Sequence, residues 1–244
     1  MNEEVLRLLG NHRSVRKFKS QELPDSLIEA CVAAAQMAAT SSNVQAYSIL
    51  QVKDPAKRAR LAERTGGQAQ VKEAGAFFVL CAEQRRHRLL AQDQGSSYEA
   101  NLETYLVGVI DASLFAQNLV IAFEGHGLGT CCIGGLRDDL QAVSELLQIP
   151  RDIFPLFGLC VGEPLDPSET KPRLATSSVL AIDRFPSDEE VRAQITEYDE
   201  RMGQYYAERN LAGRNWSGGV KRKFAKATRE ALHGYYEGQG ARLR

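Results

Sequence analysis

Tyr105-Leu106-Val107-Gly108-Val109-Ile110-Asp111-Ala112-Ser113-Leu114-Phe115-Ala116-Gln117-Asn118-Leu119-Val120-Ile121-Ala122-Phe123-Glu124 is the stretch whose reading decides the fold. It is apolar almost all round, which marks a helix enclosed in the middle of a fold. Asp111 and Asn118 interrupt it, and its longest charge-free part, 112–123, is too short to span a bilayer. A glycine stop follows at Gly125, Gly127 and Gly129. Upstream, Pro24 opens a helix over 24–38, with Leu27, Cys31, Ala34, Ala35 and Ala38 on one stripe. Downstream, 138–147 reads as a shorter amphipathic helix that ends before Pro150. Four short apolar runs, 47–52, 76–82, 130–133 and 154–161, are strand-length and bounded by breakers. Helices mixed with so few strands predict an α+β fold in which helices pack on a central sheet. Residues 162–173 read as a surface loop, and nothing requires a second independent domain.

The chain has 244 residues, 43% hydrophobic and 25% charged, and its 30 basic side chains nearly balance 31 acidic ones. An ordinary apolar fraction with near-zero net charge excludes a disordered chain. Five cysteines without regular spacing argue against a secreted disulfide scaffold. Two glutamates among the first ten residues do not suit a signal peptide, so a soluble, cytoplasmic protein is expected.

Charge is unevenly placed. From Arg209 onward there are nine Lys/Arg against two Asp/Glu, giving this tail +7 and the preceding 208 residues −8. A solvated helical face, a site for a phosphorylated ligand and a nucleic-acid surface are the three readings. The tail has no zinc-finger, RNP or coiled-coil basic-region pattern, which ranks nucleic acid last.

Four segments carry possible chemistry. His12-Arg13-Ser14-Val15-Arg16-Lys17-Phe18 gathers donors suited to a phosphate, although a basic helix terminus looks the same. Lys171-Pro172-Arg173-Leu174 points two cations the same way if the segment is extended. In the stretch from Gly125 to Arg137, Gly134-Gly135 lets backbone approach a planar ligand where no Cβ intervenes. It is not a dinucleotide fingerprint, because Gly127-Leu128-Gly129 runs from helix to strand, the reverse of the required order. Ala39-Thr40-Ser41-Ser42-Asn43-Val44-Gln45 is a polar loop that either turns the chain or lines a pocket. Cys131-Cys132 sits in an expected buried strand and reads as two small hydrophobes. His12, His87, His126 and His233 show no metal-ligand spacing, and no nucleophile elbow is present.

Taken in order, the segments 12–16, 40–45, Thr65-Gly66-Gly67-Gln68, Cys132-Ile133-Gly134-Gly135-Leu136-Arg137, 155–162 and 171–174 resemble the FMN-dependent nitroreductase family. The resemblance is to its larger group of NADPH-preferring oxygen-insensitive nitroreductases and flavin reductases, and runs from His12 past Trp216. It implies an α+β fold with a mainly antiparallel sheet flanked by helices. It also implies an intertwined homodimer with FMN at the interface, and a single FMN-binding domain over 1–244 with a C-terminal helical excursion from about 188. By the same resemblance, His12, Ser14, Lys171 and Arg173 grip the FMN phosphate with Arg13 adjacent, and Arg16 faces the pyrimidine edge. Gln68 bonds the polar edge of the ring, and Cys132, Ile133, Gly134 and Gly135 lie against the flavin. Ser41, Ser42, Asn43 and Gln45 line the cofactor and substrate pocket, partly from the partner subunit. Arg209 discriminates NADPH by its 2′-phosphate, with Arg214 next in line.

The implied activity is ping-pong: NADPH reduces FMN, and a nitroaromatic, quinone or free flavin then takes two electrons. No side chain acts as general acid, no metal takes part, and neither nucleic acid nor membrane is a partner. The alternative is a flavin-binding or redox-sensing protein without turnover. Cys132, in place of an aromatic residue, and Asn43, in place of a larger apolar one, depart from the family and bear on substrate range rather than fold.

Overall fold

In the computed structural model, residues 3–166 and 169–243 are described; Pro167 of the expected surface loop lies outside them. The elements in chain order are α1 (Glu3–Gly10), α2 (Asp25–Ala35), β1 (Tyr47–Gln51), α3 (Pro55–Arg64), α4 (Gln70–Glu73), β2 (Ala76–Glu83), α5 (Arg85–Asp93), α6 (Leu102–Gly125), β3 (Gly129–Ile133), α7 (Leu140–Leu147), β4 (Ile153–Gly162), α8 (Asp188–Ala207), α9 (Trp216–Phe224) and α10 (Leu232–Gln239). All four expected strands are present, each end within one residue of its reading.

The sheet is antiparallel throughout, in the order β1-β2-β4-β3. β2 is central and buried at all eight positions, which is why it reads as a continuous apolar run. β3 is an edge strand and alternates instead: Cys131 points into the core and Cys132 out. The expectation that both cysteines are buried is therefore corrected for Cys132. The segment at Ser14 and Val15 lies along this edge, with the Val15 N–H donating to the Thr130 carbonyl at 2.8 Å. That pairing blunts an otherwise open strand. It also requires Gly129, since a Cβ there would sit 2.6 Å from the Val15 side chain.

α6 starts three residues earlier than its apolar run, because Asn101 and Thr104 form a capping box. Its inner face (Gly108, Asp111, Ala112, Phe115, Ala116, Leu119, Val120, Phe123) is buried. Phe123 stacks on Phe78 of β2, and Gly108 sits against Ala82. The helix is not enclosed all round, however. Leu102, Leu106, Ile110 and Leu114, each one turn from the next, stand 42–54% exposed. By length and composition α6 could cross a bilayer, with a mean hydropathy of 1.8 over its most apolar stretch, which the charge-free count did not anticipate. Its buried face packs on the sheet and on α2, and the stripe of four stays uncovered.

α2 is shorter than expected, with Pro24 as the residue before the helix and the chain turning away after Ala35. Ile28, Cys31 and Ala35 are its buried stripe, while Ala34 faces solvent. α3 and α7 are capped by Asp54 and Asp139.

Packing divides the described residues into two compact units, one made of residues up to 166 together with 231 onward, the other of 169–230. α10 belongs to the first: the Tyr236 hydroxyl donates to the Pro155 carbonyl at 2.8 Å. In the second, Ser187 and Glu190 form a capping box that opens α8. Asp199 on that helix accepts from the Ser217 N–H at 2.8 Å and so fixes the start of α9.

Candidate functional site

The basic segment of the first unit is built against the end of α6. His12 Nδ1 lies 2.8 Å from Glu124 Oε1, and the Thr130 hydroxyl donates to the same oxygen at 2.7 Å. A carboxylate in the last turn of a helix opposes the macrodipole, and that turn carries no basic residue of its own. Glu124 therefore reads as a tie for His12 rather than as a helix-stabilising residue. Arg13 donates to the Asn11 carbonyl and Arg16 weakly to that of Ser14, so both keep guanidinium donors to spare. Arg13 and Glu124 line a cavity of about 220 Å³ with Val15, Gly127 and Gly129. Arg16 lies near enough to Cys131 to oppose the burial that raises its thiol pKa.

Three residues beyond Thr130 the strand delivers Ile133, Gly134 and Gly135. Ile133 is buried, and a Cβ on Gly134 would meet nothing closer than Arg137 at 3.5 Å. Gly135 is the opposite case: a Cβ there would lie 2.6 Å from the Thr65 carbonyl oxygen and 2.5 Å from Gln68 Nε2. Gln68 is held in turn, donating to Thr65 O at 2.7 Å and accepting from Gln70 at 3.0 Å. The segments 12–16, 130–135 and 65–68 thus form one continuous wall. Cys132 projects from it as an exposed thiol, and strand alternation sends the Cys131 sulfur to the other face.

Ser41, Ser42, Asn43 and Gln45 are elsewhere. Asp111, fully buried midway along α6, accepts from the Ser41 N–H and the Ala46 N–H, both at 3.0 Å. From α5, Arg86 donates to the Gln45 and Tyr47 carbonyls, and His87 Nε2 lies 2.7 Å from the Val44 carbonyl. Between these clamps Ser42, Asn43 and Gln45 adopt positive φ of 46°, 58° and 51°. Such backbone costs about 1–3 kcal/mol per non-glycine residue and persists only where its surroundings impose it. Asp111 and Glu124 are thirteen residues apart, so about 20 Å of helix separates this loop from His12 in the same chain.

In the second unit Lys171 and Arg173 are exposed while Pro172 and Leu174 are half-covered, the alternation of an extended segment. The Tyr198 hydroxyl pins it by donating to the Pro172 carbonyl at 2.8 Å. Arg209 stacks over Tyr205 at 3.7 Å and donates to that residue's carbonyl at 2.7 Å. Its guanidinium is paired with Glu169 and Glu208, and Arg214 is exposed.

Asp111, Glu124, Arg86 and His87 are the residues that sequence reading missed. Two left a signal: an aspartate in the middle of an apolar helix, and a glutamate at the wrong helix end.

The chain matches the nitroreductase family model over residues 9–163 and the model of the nitroreductase family C-terminal domain over 171–244. It is 41% identical over 246 residues to the FMN reductase (NADPH) of Bacillus subtilis, covering 98% of each chain. It is 37% identical over 239 residues to the oxygen-insensitive NADPH nitroreductase of Salmonella typhimurium, covering 97% of each. The solved B. megaterium protein NfrA1 superposes with a TM-score of 0.95 at 38% identity, over 98% of this chain and 99% of that one. With a helix-flanked antiparallel sheet, a donor-rich wall ending in paired glycines and matches spanning nearly its whole length, the chain belongs to the nitroreductase family.

Proposed function

We propose that this chain is an NADPH-dependent, FMN-containing oxidoreductase that delivers two electrons to nitroaromatics, quinones or free flavin. The observation that carries the reading is the wall itself: phosphate-type donors at 12–16 run along β3 into Gly134, whose backbone no Cβ shields, and Gly135, packed on the Thr65–Gln68 turn. That donor set fits a phosphorylated, planar ligand. His12, Arg13 and Ser14 would hold the phosphate. Arg16 would place positive charge at the pyrimidine edge, where the reduced ring carries its negative charge. Gln68 would bond the polar edge, and Cys132, Ile133, Gly134 and Gly135 would lie against the ring. FMN, when bound, supplies the two-electron carrier, so the protein needs no acid or base of its own.

The reading includes a homodimer. Ser41, Ser42, Asn43 and Gln45 stand about 20 Å along α6 from His12 in one chain, so they reach a common ligand when supplied by a second copy. The stripe of Leu102, Leu106, Ile110 and Leu114 is the surface such a copy covers, rather than lipid. A cytoplasmic location agrees with five free thiols.

Arg209 is assigned to the NADPH 2′-phosphate. Glu169 and Glu208 share its guanidinium and would have to give way to the phosphate. Arg209→Ala is expected to raise the KM for NADPH by roughly 10- to 100-fold, the worth of a charge-assisted hydrogen bond, and to leave NADH kinetics within twofold. Equal effects on both cofactors would remove Arg209 from this role.

The function is tested by the visible spectrum during anaerobic, stoichiometric NADPH addition. A flavin spectrum that bleaches, then recovers with a quinone or nitrofuran, is the expected result. A colourless protein that FMN cannot reconstitute overturns the assignment, and a yellow protein that NADPH leaves unbleached turns it to flavin binding or sensing.

A further inference from the structure

We infer that Asp111 is the positioning residue of the acceptor pocket. Its buried carboxylate takes the N–H groups of Ser41 and Ala46 together, and so sets how Ser42, Asn43 and Gln45 are presented to the molecule being reduced. The inference rests on the proposed reading that this loop lines the acceptor pocket.

The loop's own bonds, from the Val44 N–H to the Ser41 carbonyl at 2.9 Å and from Gln45 Nε2 to the Asn43 carbonyl at 3.4 Å, do not anchor it to the rest of the fold. Three of its residues are left-handed, yet it contains no glycine between Thr40 and Ala46, and only Asn43 is a residue type at ease there. The shape is imposed from outside, by an aspartate some 70 residues further along the chain. Asp111 interrupts the buried face of α6, where an apolar residue would pack without any loss of hydration. What justifies its presence is the pair of N–H groups at the two ends of the loop, one on each oxygen. Arg86 and His87 take carbonyls from the other side of the same loop. Backbone groups at both ends of the loop are thereby tied, while residues 41–45 are all exposed. A loop with its backbone clamped and its side chains open is arranged to present those side chains.

Asp111→Asn keeps the shape but offers one acceptor where two N–H groups need one each, so one of them faces an NH₂ group. The flavin-loaded protein is expected to show a KM for 1,4-naphthoquinone raised about tenfold or more, as for a misplaced binding group. Its kcat per bound flavin should stay within twofold of the parent, whatever flavin is lost with the loop's placement. Independently of activity, the Ser41 and Ala46 amides of the purified protein should exchange hydrogen at least tenfold faster, while those of β2 do not change. An unchanged KM, or Ser41 and Ala46 amides that exchange at the parental rate, would overturn the inference if Asn43→Ala raises the KM. Should Asn43→Ala itself leave the KM unmoved, the loop is not part of the acceptor pocket and both readings fall. If Asp111→Asn gives no soluble protein, His87→Ala, which loosens the carbonyl side from the half-exposed face of α5, decides by the same KM and exchange criteria.

Discussion

Gly135→Ala is expected to purify without its flavin. The added methyl carbon would lie 2.6 Å from the Thr65 carbonyl oxygen, which is backbone and cannot swing aside. Thr65 is itself buried and pinned by its N–H to the Leu61 carbonyl at 2.9 Å and its hydroxyl to the Ala62 carbonyl at 3.1 Å. Gln68 cannot retreat without abandoning its bond to Thr65. The strain must move the 133–135 backbone off the 65–68 turn, which opens the wall where the flavin ring is assigned. Overpacking of this kind costs about 1–3 kcal/mol, or a fall of roughly 2–10 °C in Tm for a chain of this size. The larger effect is on the cofactor, whose Kd should rise at least about tenfold because backbone amides no longer meet it. Fluorescence titration of apoprotein with FMN reads it directly. Gly135→Ala protein with full flavin occupancy and parental Kd would show that this close approach does not shape the cofactor site.

The second large effect is expected from Ile110→Glu. Ile110 is 54% exposed at the centre of the α6 stripe, so within one chain the substitution should change stability by less than about 0.5 kcal/mol. In a dimer that buries this stripe, the same carboxylate loses its water with no cation to meet it. A penalty of several kcal/mol follows, which raises the dimer dissociation constant by about a thousandfold or more. Sedimentation at micromolar concentration should then find monomers. Flavin should be lost with the dimer, because Ser41–Gln45 and His12–Arg16 are assigned to one ligand from two chains. An Ile110→Glu protein that remains dimeric would place the interface elsewhere.

The four strands were legible because each is a short apolar run closed by breakers, and β2 and β4 are buried on both faces. α3 and α5, by contrast, are so polar (Pro55-Ala56-Lys57-Arg58 and Arg85-Arg86-His87-Arg88) that no apolar stripe announces them. One chain alone leaves a stripe of α6 uncovered, for a physical reason. Leu106 and Ile110 are as apolar as Phe115 and Leu119, and periodicity registers hydrophobicity without saying which chain covers it. At the site, the segments 12–16, 65–68 and 132–135 could be picked out by residue type and the family resemblance. Their adjacency could not, since Thr130 meets Val15, and Gly135 meets Thr65, across 115 and 70 residues of chain. Asp111 appeared in the sequence only as a blemish in an apolar run, because its meaning lies in two backbone groups that sequence does not display.

The clamp on the 41–46 loop also bears on how such an enzyme diversifies. The loop is tied at both ends through the Ser41 and Ala46 peptide groups, and the exposed side chains of residues 42, 43 and 45 make only the weak contacts of Gln45 Nε2 with Asn43 at 3.4–3.5 Å. On the proposed reading that this loop lines the acceptor pocket, replacing them redraws the chemistry offered to an acceptor at little cost to the framework. Glycine, asparagine or aspartate there would even relieve the left-handed backbone. Selection, natural or in the laboratory, can explore these three positions as interchangeable fittings on a fixed mount, and new acceptor preferences become reachable by single steps that leave the protein folded throughout.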